Sequence, residues 1–202
     1  MKLLIATKNR HKVEEIRAIF SHPALELVSA LDVPNLPDVE EDGATLEANA
    51  VKKASTLAGV SGMWALADDT GLEVEALGGA PGVHSARYAG PEQSGPANCA
   101  KLLGALAGQE NRRARFRTVI ALSDPHGAAR CVDGSCDGII TEAARGHEGF
   151  GYDPLFQPDG HDQTFAEMAP EAKNRISHRA RALAAASEAW AGMLAAAPER
   201  WA

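Results

Sequence analysis

Two adjacent carboxylates, Asp68 and Asp69, follow the apolar run Met63 to Ala67 and precede Thr70-Gly71. At the carboxyl end of a strand in an open α/β sheet, such residues face the edge where ligands bind. Neighbouring strand residues point opposite ways, so one carboxylate is expected to face a ligand and the other to support it. Hard oxygen donors of this kind suit Mg²⁺, which takes one or two protein carboxylates and completes its shell with water and substrate phosphates. The same string also reads as an Asp-Thr-Gly turn whose side chains satisfy backbone N–H groups. The acidic loop carrying Asp38, Glu40, Glu41 and Asp42 either lends a second metal ligand or is simply solvated.

Three further places hold groups with chemical use. Thr7-Lys8-Asn9-Arg10-His11-Lys12 brings a hydroxyl, an amide and a lysine to a helix start, where unpaired N–H groups and the macrodipole favour an anion. It is not a P-loop, because the glycine spacing and terminal Gly-Lys-Ser/Thr are missing, and Thr and Asn also serve as ordinary helix caps. Phe150-Gly151-Tyr152-Asp153-Pro154 spends two aromatics and a carboxylate in one loop. An aromatic held there can stack on a nucleobase, worth about 1–3 kcal/mol per face, or can close a core beneath the loop. Ser177-His178-Arg179, with Lys173 upstream, places donors at a helix start, where they can bond carbonyl oxygens of a ligand. Basic groups in a first turn oppose the helix dipole and fit poorly as stability devices alone.

The elements that must position these groups follow from periodicity. Residues 2–6 read as a strand, and Val13, Ile16, Ile19 and Phe20 recur at helical spacing after the Thr7 turn. A second strand is expected at 25–29, a loop at 31–43 and a helix at 44–58 with a stripe of Leu46, Ala50, Ala54 and Leu57. The Asp68 strand is expected to end at Ala67, with 72–77 continuing as strand or short helix and 78–83 as a glycine-rich loop. A helix at 98–106, two long strands at 115–123 and 128–140, and a loop at 149–158 precede one long alanine-rich helix over 174–197. That helix has a stripe through Ile176, Ala180, Leu183, Ala191 and Leu194.

Composition bounds the partners. The 202 residues, 45% apolar and 23% charged, suffice for a full core and exclude disordered or fibrous classes. The net charge of −7 opposes the broad basic face that duplex nucleic acid requires, so no nucleic-acid partner is expected. A small anion remains compatible, given a local cluster of cations or a metal ion. Cys99, Cys131 and Cys136 form no CxxC or zinc spacing, which suits reduced thiols. No run approaches the roughly 18 apolar residues of a membrane span, and the N-terminal apolar stretch is too short for a signal peptide, so a cytoplasmic protein without a membrane partner is expected.

In order and spacing, these motifs resemble the inosine triphosphate pyrophosphatase family. The resemblance rests on Thr7 to Lys12 (T-x-N-x-x-K), Glu40-Glu41 with Gly43, Asn49-Ala50 with Lys53-Ala54, and Ala67-Asp68-Asp69-Thr70-Gly71-Leu72. It continues through Leu77-Gly78-Gly79-Ala80-Pro81-Gly82, Ser85-Ala86-Arg87-Tyr88, Phe150 to Pro154, and Lys173 followed by Ser177-His178-Arg179. It implies an elongated α/β mixed-sheet fold with two lobes around a central substrate cleft, residues 1–202 forming one two-lobed domain, usually a homodimer. The implied activity is Mg²⁺-dependent hydrolysis of the noncanonical purine nucleotides ITP, dITP and XTP to the monophosphate and pyrophosphate. Thr7, Asn9 and Lys12 would hold the triphosphate, with Lys53 nearby and Lys8, Arg10 and His11 on the same turn. Asp69 would activate the attacking water and bind metal, with Asp68 beside it and Glu41, more than Glu40, as second ligand. Thr70 would touch phosphate, and Arg87 would help neutralise it. Phe150, in the loop with Gly151, Tyr152 and Asp153, would stack on the base, while Lys173, His178 and Arg179 would read the purine's oxygens. Lys8 departs from the small residue frequent in the family, Thr70 from Ser, and Ala48 from Glu. A pyrophosphatase for other modified nucleotides and an inactive nucleotide-binding regulator are the alternatives.

Overall fold

Alternating apolar strands and capped helices are laid down in the order β1 (Lys2–Ile5), α1 (Arg10–Ile19), β2 (Glu26–Ser29), α2 (Leu46–Ser61), β3 (Trp64–Val74), β4 (Pro81–Gly82), α3 (Gly95–Ala105), β5 (Arg113–Ser123), β6 (Ala129–Ile140), β7 (Phe156–Pro158), α4 (Pro170–Ile176) and α5 (His178–Ala189). The structure is a computed structural model, and it describes residues 2–20 and 25–192. One mixed sheet has the order β2-β1-β3-β5-β6-β7, with β4 paired to β3. The chain is α/β, as the sequence implies. It divides into two compact units: Met1–Asp69, Thr118–Gly134 and Arg179–Ala202 form the first, and Thr70–Arg117 with Ser135–His178 form the second.

In the first unit, β1 pairs in parallel with β2 and with β3. Helix α1 buries Val13 and Ile16, and these pack with Leu3, Ile5, Leu66, Ile120, Leu122, Leu183 and Trp190. Each such side chain taken from water contributes about 1.5–3 kcal/mol. Helix α2 buries Ala50, Ala54, Leu57 and Ala58. It is bounded by Thr45, whose side chain accepts the Ala48 N–H, and by Gly62 in the left-handed region at φ 67°. In the second unit, Leu72, Val74, Leu102, Phe116, Tyr152, Phe156 and Phe165 form the core. Among the described residues, no helix is long and apolar enough to cross a membrane.

Five expectations are corrected. The expected loop at 149–158 ends in strand β7, Phe156–Pro158, which pairs antiparallel with β6. The Asp68 strand does not end at Ala67: it runs through both aspartates to Val74, because Leu72 and Val74 alternate into the second core and Ser85 Oγ accepts the Leu72 N–H at 2.8 Å. The turn signal of Thr70-Gly71 is overridden by that burial. Within the expected loop at 78–83, Pro81–Gly82 forms a short antiparallel strand against Glu73 and Leu72. The expected single C-terminal helix is two. Ser177 adopts extended backbone (φ −65°, ψ 158°), which closes α4 before α5 begins at His178. His178 packs against Phe116, while Ala182, Leu183 and Ala186 enter the first core. In the stripe, Ala191 is exposed and Trp190 takes the buried place. Leu194 and the helix end expected at 197 lie outside the described residues.

Candidate active site

Consecutive positions on β3 send Asp68 and Asp69 to opposite faces of the sheet, and each meets a different set of partners. Asp68 is 1% exposed. Its Oδ2 accepts from Arg179 Nε at 3.2 Å and Nη2 at 2.9 Å, and lies 3.1 Å from Lys12 Nζ. Arg179 Nη1 donates to Glu15, one helical turn beyond Lys12 on α1. Burial pushes the Asp68 carboxyl upward, yet Lys12, Arg179 and Lys53 outweigh it and hold the carboxyl well below the usual range. Burial also pushes the Lys12 ammonium below its ordinary value, against the pull of Asp68. A carboxylate so acidic and so enclosed is a poor proton acceptor. It fixes two cations in place.

Asp69 faces α2. Asn49 Nδ2 donates to its Oδ2 at 3.1 Å, and Lys53 Nζ lies 3.4 Å from its Oδ1. Lys53 also donates to the Asp68 carbonyl at 2.6 Å and to Glu41 Oε1 at 2.5 Å. Burial, reinforced by nearby Glu41, pushes the Asp69 carboxyl above its ordinary value despite Lys53. That is the direction a general base needs, because a stronger base takes a proton more readily. Burial disfavours the charged form of Lys53, but Asp69, Asp68 and Glu41 together raise it above the ordinary lysine value. Two carboxylates therefore converge on one cationic position. Of the two candidates in the acidic loop, Glu41 is brought to that position, and Glu40 is exposed. Among the described residues, no three His, Cys, Asp or Glu side chains gather as a metal cage. A donor set of two carboxylates fits a hard cation that keeps water and substrate oxygens in its shell.

The turn before α1 caps the helix. Thr7 Oγ1 accepts the Asn9 N–H at 3.2 Å, and Asn9 Oδ1 accepts from His11 N–H at 3.0 Å and Lys12 N–H at 3.4 Å. Lys8, expected among the phosphate contacts, instead donates to Asp38 Oδ1 at 2.7 Å and to the Leu36 carbonyl at 3.4 Å, tying this turn to the acidic loop. Arg10 and His11 are exposed on the first turn, where they face solvent.

In the second unit, Asp153 Oδ2 accepts both the Phe150 N–H at 2.8 Å and Lys173 Nζ at 2.7 Å. The ammonium lies 5.1 Å from the Phe150 ring centroid and 5.6 Å from that of Phe165, within cation–π range. Gly149, at φ 72°, makes this loop possible: a Cβ there would sit 2.1 Å from Asp153 Oδ2. Phe150 and Gly151 are half-buried. Tyr152 is not a ligand face. It is buried in the core, its hydroxyl donates to the Ser85 carbonyl at 2.9 Å, and burial pushes the phenol above its ordinary value. His178 stacks on Phe116 with ring centroids 4.5 Å apart. Thr70 and Arg87 are half-buried, on β3 and on the single turn Ser85–Arg87. Arg179, expected beside His178 as a reader of purine oxygens, has its guanidinium committed to Asp68 and Glu15 because α5 begins there.

Sequence reasoning gave no role to Asn49 or Glu15. Glu15 stands three residues after Lys12, the spacing that places both on one helix face. Asn49 is a polar residue beside the apolar stripe of α2.

A model of the Ham1 family matches residues 3–189 of the chain. A relative from Desulforamulus reducens named dITP/XTP pyrophosphatase is 50% identical over 190 residues, 93% of this chain and 94% of the relative. The solved Ham1 protein of Staphylococcus aureus superposes with a TM-score of 0.85 at 38% identity, covering 96% of this chain and 100% of that one. The Ham1 protein of Coxiella burnetii gives 0.87 at 37% identity, covering 95% and 99%.

Proposed function

This chain belongs to the Ham1 family, and from that premise we propose that it hydrolyses noncanonical purine nucleoside triphosphates, namely ITP, dITP and XTP, to the monophosphate and pyrophosphate. One observation supports the reading above others. Consecutive aspartates on β3 occupy opposed environments, Asp68 held as a permanent anion by Lys12 and Arg179, and Asp69 made more basic beside Lys53 and Glu41. Paired carboxylates pushed apart in this way take different parts in a reaction.

In this mechanism, Asp69 accepts a proton from water as the water oxygen bonds the α-phosphorus. The bond to the α–β bridging oxygen breaks, and pyrophosphate leaves with that oxygen. Lys12 and Lys53 offset the charge of a substrate bearing about four negative charges, and electrostatic stabilisation of this kind supplies much of the rate. Glu41 and Asp69 would hold Mg²⁺ here. When bound, the ion supplies charge neutralisation on the phosphates and the departing pyrophosphate. Thr7, Asn9 and Thr70 would add phosphate contacts, with Arg87 a further cation for the same charge.

Base recognition would fall to Phe150, stacking on the base, with Lys173 and His178 as donors to the 6-oxo group of hypoxanthine or xanthine. An amino group at that position would leave a buried donor unpaired, at about 1–3 kcal/mol. The same resemblance that suggests the substrate also suggests a homodimer, which light scattering would register as twice the chain mass. The purified protein, incubated with ITP, XTP, dITP, ATP and GTP with and without Mg²⁺, is expected to release pyrophosphate from the first three, far faster than from ATP, and only with the metal. Release of orthophosphate, or equal rates on ATP and ITP, would overturn the proposal.

A further inference from the structure

We propose that Asn49 is a positioning residue that sets the orientation of the Asp69 carboxylate and locks it to the acidic loop. Asn49 lies in the first turn of α2 and is 1% exposed, with both ends of its amide engaged. Its Oδ1 accepts the Gly43 N–H at 2.8 Å, and its Nδ2 donates to Asp69 Oδ2 at 3.1 Å. The backbone partner determines which way the amide faces. Gly43 offers only a donor there, so the oxygen must meet it and the NH₂ must meet the carboxylate. A flipped amide would set donor against donor at Gly43 and oxygen against oxygen at Asp69.

Two consequences follow for the carboxylate. Oδ2 is held as a hydrogen-bond acceptor, so the plane of the group is fixed and Oδ1 is presented on the side of Lys53 and Glu41. The same amide also ties Asp69 to the backbone two residues after Glu41, so the base and the candidate metal ligand are set by one side chain. Gly43 is shaped for the contact. A Cβ there would stand 2.6 Å from Asn49 Oδ1 and 3.0 Å from the Ala48 Cβ, so no other residue admits this approach. Asn49 does not reach the reacting atoms itself. It acts through Asp69, as partners of ligating and catalytic groups commonly do, and their loss typically costs about 10–100-fold in activity.

The inference rests on Asp69 being the base, and the test separates the two. Steady-state kinetics on ITP would compare the native protein with Asn49→Asp, Asn49→Leu, Gly43→Ala and Asp69→Asn, each rate scaled to the folded fraction from circular dichroism. Asn49→Asp keeps the volume and the acceptor for Gly43 but loses the donor to Asp69. Gly43→Ala displaces the amide from the loop side and changes no side chain of α2, so it carries the test if the Asn49 variants do not fold. Expected is a kcat lower by about 10–100-fold at near-native KM in the Asn49 variants and in Gly43→Ala. A merely structural role would lower melting temperature and leave kcat per folded molecule unchanged. Native kcat in these variants with a dead Asp69→Asn overturns the positioning role alone. An active Asp69→Asn overturns the base assignment and this inference with it.

Discussion

Asp68 is enclosed among three cations, Lys12, Arg179 and Lys53, and that dictates what its loss would do. Arg179 is buried and Lys12 half-buried against it, so replacing Asp68 by Asn leaves both cations without their shared counter-charge. Breaking a buried pair by removing one partner costs about 3–5 kcal/mol, and Asp68→Asn is expected to lose that much in urea unfolding. Asp69→Asn should behave in the opposite way. It removes a charge that burial already disfavours, so stability should hold to within about 1 kcal/mol while turnover on ITP falls by at least about a thousandfold. Equal stability losses in the two variants would contradict the division of labour between the two aspartates.

Helix α2 is the element on which the site most depends, because Asn49 and Lys53 both project from its first two turns. Its start is fixed by Thr45, whose side chain accepts the Ala48 N–H at 3.1 Å. Thr45→Ala should cost about 1 kcal/mol of stability, with Thr45→Ser restoring most of it, measured by thermal unfolding. No change in Thr45→Ala would mean that packing of Leu46 and Ala50 alone holds the helix start. This helix was legible from the spacing of Leu46, Ala50, Ala54 and Leu57, and so were α1 and the long strands β5 and β6. What periodicity misread were places where tertiary contacts overrode a local signal. Thr70-Gly71 looks like a stop, yet β3 passes through it because Leu72 has a core to enter and Ser85 to receive its N–H. Ser177 sits in an alanine-rich, helix-favouring stretch, yet it breaks the helix so that His178 can reach Phe116. The site followed the same rule. Side-chain types marked Asp68, Asp69, Lys12, Lys53 and Phe150, but no pattern along the chain said that Arg179 would turn to Asp68, from which it is separated by 111 positions.

At the scale of the whole molecule, the excess of acidic residues and an anionic substrate are compatible because charge is segregated. The net charge is −7, yet Lys12, Lys53 and Arg179 are gathered in the first unit and Lys173 is buried with Asp153 in the second. Three of the first unit's carboxylates, Asp68, Asp69 and Glu41, hold Lys12, Lys53 and Arg179 charge for charge, so the acidic surplus is carried by other residues. The chain belongs to the Ham1 family and shares the fold of its solved members. With Asp69 proposed as the base for attack of water on the α-phosphorus, hydrolysis of ITP in water enriched in heavy oxygen shows where the water adds. One heavy oxygen is expected in the inosine monophosphate and none in the pyrophosphate, and label in the pyrophosphate would contradict attack at the α-phosphorus.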